Sequence, residues 1–177
     1  MRDETKEEMK SEEPTLNVHE LCYDLIPKRS DAKRGREWAK DRAEKGYCWW
    51  DIADIDQWFM IIIVKMLREF KKKHLGFPQE FMDREYLENR EKYSLINDEV
   101  DLIVYDQNEA KNKMKEELEE KADAMWVATL DEIANRFEKL RELSENHTGK
   151  EEDDRRLQEA TEQAFALFAK WFHHLWI

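Results

Sequence analysis

Within seven consecutive residues, Lys45-Gly46-Tyr47-Cys48-Trp49-Trp50-Asp51, the chain sets three large aromatic rings beside a cation and a carboxylate. Rings of this size stack on nucleobases, at about 1–3 kcal/mol for each base. A lysine and the free amides of a helix start are suited to phosphate. The turn therefore holds the parts of a nucleotide site: Tyr47, Trp49 and Trp50 for stacking, and Lys45 for phosphate, with Arg34 and Arg36 close by in sequence. The competing reading folds the same aromatics back as a hydrophobic cover over the helix that follows.

Three carboxylates, Asp51, Asp54 and Asp56, stand beside those aromatics. All-α nucleotide pyrophosphatases hold Mg²⁺ with carboxylates on neighbouring helices, so a metal-dependent nucleotide hydrolase is a second reading. Further acidic pairs at helical spacing, such as Glu116 with Glu119 and Glu120 with Asp123, read as solvated helix faces, because 42 acidic residues produce such pairs by chance. GxGxxG, P-loop, GxSxG and HExxH patterns are absent from the sequence. His173 and His174 are adjacent and so point in different directions on a helix. The expectation is a binding protein with no catalytic residues, no metal site and no cofactor.

The elements that must position the turn are helical. Charged residues make up 41% of the 177, and glycine and proline are scarce, which favours helices over turn-rich β structure. A net charge of −12 argues against long nucleic acid as partner, since phosphate backbones are bound by neutralising them. The longest unbroken apolar run, Trp58–Val64, is seven residues, too short to span a bilayer, and the acidic start does not read as a signal peptide. Cys22 and Cys48 match no zinc or redox spacing and fit a reducing compartment. A cytoplasmic protein without a membrane partner is expected.

Apolar periodicity places a central helix over about 51–73, with Ile52, Ile55, Phe59, Ile62, Ile63, Met66, Leu67 and Phe70 as its core stripe. Two long amphipathic helices follow, over about 107–143 and 151–176. Together they predict an all-α fold: a compact helical bundle around the 51–73 helix. Residues 1–14 are expected to form an acidic flexible tail, and 15–177 a single helical domain with an insertion-like segment at about 79–106. A thinner helix is expected from an Asp31 cap to about Glu44, with Ala32, Trp38, Ala39 and Ala43 as its apolar side.

Three blocks of the sequence carry a resemblance. They are Lys45-Gly46-Tyr47 with Asp51, Asp56 and Leu75-Gly76-Phe77-Pro78; Met125-Trp126 with Leu130-Asp131-Glu132-Ile133; and the closing AFALFAKWFHHLWI. In order and content these resemble a family of small phage-encoded proteins, which is similar in turn to phage sponge proteins that sequester the cyclic nucleotide signals of bacterial anti-phage defence (CBASS). The resemblance implies immune evasion by binding a cyclic di- or trinucleotide without turnover, inside the infected bacterium. It also implies a homo-oligomer, and it adds Asp51 and Asp56 to the candidate ligand contacts. The chain departs from the pattern at Ala53 and at Ile177, where the family usually has Trp and Asp. A third reading makes the protein an interaction module that binds through an apolar face at Trp171, Phe172, Trp176 and Ile177.

Overall fold

The computed structural model describes residues 32–96 and 108–175. The acidic segment 1–14, the expected Asp31 cap, most of the 94–105 segment, Trp176 and Ile177 lie outside them. The described residues form an all-α fold of six helices: α1 Ala32–Lys45, α2 Trp49–Ala53, α3 Ile55–Lys73, α4 Gln79–Glu88, α5 Glu109–Glu145 and α6 Glu151–Trp171. A 3-10 turn, Phe172–His174, closes the series. The chain divides into two compact units at Trp58/Phe59.

In the first unit α1 buries Trp38 and Arg42, while Ala43, expected on its apolar side, is exposed. Gly46 ends the helix at φ +82°, a conformation that costs glycine little, and its N–H donates to the Arg42 carbonyl at 2.9 Å. The expected helix from residue 51 is two helices. α2 stops at Ala53 and α3 starts at Ile55, with Asp54 in a non-helical conformation between them.

The second unit is built on α5, which packs against both α4 and α6. Its buried residues Leu118, Ala122, Trp126, Leu130, Ile133, Phe137 and Leu140 follow three- and four-residue steps, and at 37 residues it is the longest helix described. Asn108 caps its start by accepting a hydrogen bond from the Lys111 amide at 3.2 Å. Trp126 meets Phe81 of α4 at 5.9 Å and Trp171 of α6 at 5.7 Å, and Phe81 stacks on Trp171 at 4.7 Å. Offset and edge contacts of this kind add to the burial of large apolar area. Ala134 and Ala164, both fully buried, are small enough to sit in a tight core.

α3 runs antiparallel to α5. Arg68 and Lys71 of α3, and His74 just after it, pair in turn with Glu138, Asp131 and Asp123, partners whose numbers fall as theirs rise. Its buried residues are Met60, Val64 and Leu67, with Phe59, Ile63 and Phe70 partly buried, while Ile52, Ile55 and Met66 are exposed. The expected stripe is thus corrected at three of its eight positions. The break at Asp54 puts Ile52 on a separate helix, α2, and leaves Ile55 as the first residue of α3. The segment expected as an insertion contributes core residues. Tyr86, Tyr93 and Ile96 are buried, and the Tyr86 hydroxyl donates to the Ile96 carbonyl at 2.9 Å.

Candidate functional site

The aromatic turn is set by one buried ion pair. Arg42 on α1 and Asp51 on α2 are each 3% exposed. Arg42 Nε donates to Asp51 Oδ2 at 2.8 Å, and Nη2 donates to Oδ1. The guanidinium fork matches both carboxylate oxygens at once, which fixes direction as well as distance. Asp51 Oδ2 also accepts from the Cys48 backbone amide at 2.8 Å, and the Cys48 thiol accepts from the Asp51 amide, so Cys48 and Asp51 form a reciprocal helix cap. One carboxylate thereby joins the end of α1, the turn and the start of α2.

Burial alone would raise the Asp51 pKa and is the largest single influence on it. The Arg42 fork and the hydrogen bonds from Cys48 together outweigh burial and hold the carboxyl below its ordinary value. The pKa of the buried Cys48 thiol is pushed up, mainly by loss of solvent.

Above this brace the aromatics divide. Trp38 is buried, and Trp50 lies against it with ring centroids 5.6 Å apart. Trp49 sits 6.2 Å from Trp50 but is 64% exposed, and Tyr47 is 49% exposed. Lys45 is exposed and donates to Asp41 at 2.8 Å. Arg34, Arg36, Asp54 and Asp56 are exposed as well.

Tyr47 and Trp49 therefore present rings to solvent on a turn braced by Asp51, and Lys45 is their near neighbour in sequence. Trp50 and Asp51, expected among the ligand contacts, are placed otherwise: Trp50 is half-buried against Trp38, and both Asp51 oxygens are engaged by Arg42 and Cys48. With Asp51 so engaged, the trio Asp51, Asp54 and Asp56 does not converge as a metal site. Among the described residues no group of three His, Cys, Asp or Glu is placed to hold a metal ion. Arg42 was missed by sequence reasoning, and Trp38 was expected only on the apolar side of α1, not as the ring that Trp50 lies against. The sequence shows an arginine and an aspartate on either side of a Gly turn, but spacing alone does not say that they meet.

Compared with protein-family models, curated proteins and solved structures, the chain matches none. No helix among the described residues is long and apolar enough to cross a membrane.

Proposed function

We propose that the Tyr47–Trp49 turn is a stacking platform that binds a nucleotide without turning it over. The observation that carries the reading is the exposure of Tyr47 and Trp49 on a turn whose underside is braced by the buried Arg42–Asp51 pair. Two large rings held exposed on one turn are available for stacking, and a braced turn loses little entropy on binding. The likeness of the three sequence blocks to small phage proteins supports the ligand class, a cyclic di- or trinucleotide signal, and the role, sequestration inside an infected bacterium. Lys45, Arg34 and Arg36 supply positive charge for its phosphates, and a second subunit encloses the exposed side of the ligand.

Incubation of the purified protein with a panel of cyclic di- and trinucleotides, then heating to release what is held, tests this. The expected result is recovery of one ligand intact and in stoichiometric amount. Absence of binding, or recovery of a cleaved product, overturns it.

A second reading is favoured by one separate observation. On the second unit Phe165 and Phe172, seven residues apart at the C-terminal end of the chain, are 43% and 54% exposed, whereas Trp171 is buried. Those rings suit a protein partner, and retention of a specific host protein on the immobilised chain, lost in Phe172→Ser, would favour that reading.

A further inference from the structure

The outward face of α6 changes character halfway along the helix. At three- and four-residue steps its first half carries Glu151, Arg155, Gln158, Glu159 and Glu162, all exposed, as a solvated face should. The next turns of the same face carry Phe165, Ala166, Ala169 and, in the 3-10 turn that continues the helix, Phe172, and these are exposed too. Phe165 rests on Phe59 at 5.8 Å and on Phe137 at 5.2 Å, yet keeps 43% of its surface in water. Phe172 meets Phe168 at 5.5 Å and is 54% exposed. One side of each ring closes the core and the other is part of an open apolar stripe.

Ala166 and Ala169 lie at the middle of that stripe, where small side chains let a second helix approach to about 8 Å between axes. The charges at its two ends decide what fits. Glu162 bounds it on the N-terminal side, and Lys170 and His173, both exposed, bound it on the C-terminal side. Lys170 lies over the Trp171 ring at 4.8 Å, which sets its charge at the edge of the stripe. An identical helix laid parallel would put Glu162 on Glu162 and Lys170 on Lys170. Laid antiparallel about a two-fold axis midway between Ala166 and Ala169, it puts Ala166 on Ala169 and sets Glu162 of each copy at the Lys170–His173 end of the other. That is the self-complementary order a two-fold interface requires.

We infer that the C-terminal half of α6 is the surface through which two copies of this chain pair, helix against antiparallel helix. Burial of the four phenyl rings of the two copies supplies the attraction, and the two charged ends fix direction and register. A single helix seam is a small interface, so the dimer is a micromolar one. The same rings that would suit a host protein are thereby committed to a second copy. The inference does not depend on the aromatic turn, whose residues lie in the other unit.

Sedimentation equilibrium of the full chain without nucleotide, from micromolar to sub-millimolar concentration, tests the pairing. The expected result is a monomer–dimer equilibrium. Ala169→Glu buries a carboxylate in the middle of the seam and should weaken the dimer by about tenfold or more. Because the position is exposed in the single chain, the variant should keep its helical circular dichroism. Glu162→Lys should also weaken the dimer, and Glu162→Lys with Lys170→Glu should restore it, since exchanging both ends preserves the antiparallel match. A chain that stays monomeric throughout, or an Ala169→Glu dimer as tight as the wild type's, would overturn the assignment. Failure of the double exchange to restore pairing overturns the antiparallel order on which it rests. A monomeric chain that retains a host protein, with the retention lost in Phe172→Ser, makes that protein the occupant and likewise overturns the second copy. Trp49→Ala should leave the dimer intact. A monomeric wild-type chain that still binds a cyclic nucleotide overturns the pairing surface alone, whereas a dimer that binds none overturns the stacking platform alone.

Discussion

The two units use the same kind of residue in opposite ways. In the second, Trp126, Phe81, Trp171 and Phe137 are closed into one core, each ring edge or face meeting another. In the first, four aromatics lie between residues 38 and 50, and only Trp38 is buried. What substitutes for an aromatic core at the turn is polar: the Arg42–Asp51 fork and the Cys48–Asp51 cap hold the backbone, leaving Tyr47 and Trp49 to solvent. Those four core rings are taken up by one another, whereas the turn held by hydrogen bonds leaves Tyr47 and Trp49 available.

The largest expected effect is in the ring-built core. Trp126→Ala removes a side chain that is 1% exposed and touches rings of three other helices, and should cost about 4–5 kcal/mol in urea unfolding. A loss under about 1 kcal/mol would mean that the core repacks and that rings are not its main support.

Next comes the polar brace. Arg42→Met leaves Asp51 buried beside an apolar chain and should destabilise by about 3 kcal/mol, toward the lower end for a broken buried pair because Asp51 can take up a proton. Hydrogen exchange at the amides of residues 46–51 should rise far more than at residues 126–137. Equal change in both places would erase the distinction between the two regions.

Acid probes the same brace more gently. The Asp51 carboxyl sits below its ordinary value in the folded state, so the unfolded chain binds the proton more readily. The stability this contributes is complete above the unfolded carboxyl pKa, about 3.9, and is lost as pH falls through the lower folded value. Exchange at the turn should therefore accelerate below about pH 4, and Asp51→Asn should remove that dependence.

The smallest effect on stability and the sharpest on function is expected at Trp49. Trp49→Ala should change stability by less than about 0.5 kcal/mol, as for an exposed residue without a structural role. It should weaken cyclic nucleotide binding by about tenfold or more, since each stacked base is worth about 1–3 kcal/mol. Trp38→Ala should reverse the order, with a large loss of stability.

Much of the helical framework was legible in the residues. The periodicity of Leu118, Trp126, Ile133, Phe137 and Leu140 shows where α5 runs and which face it buries, because a single apolar stripe admits one orientation. The 58–64 run is unbroken and so carries no phase: Met60 and Val64, outside the expected stripe, are buried, while Ile62 within it is half-buried and Met66 is exposed. Tyr93 and Ile96 gave no periodic signal because they enter the core from a turn, where spacing does not report direction.

At the candidate site the sequence by itself determined the inventory: aromatics, a cation and a carboxylate around one glycine. Only the tertiary structure decided which of them face solvent. Composition ranks Trp49 and Trp50 alike, but Trp50 has Trp38 to lie against and Trp49 has open water. The Arg42–Asp51 pair was equally out of reach, because a contact nine residues apart across a turn depends on the angle between α1 and α2, and local spacing does not encode that angle.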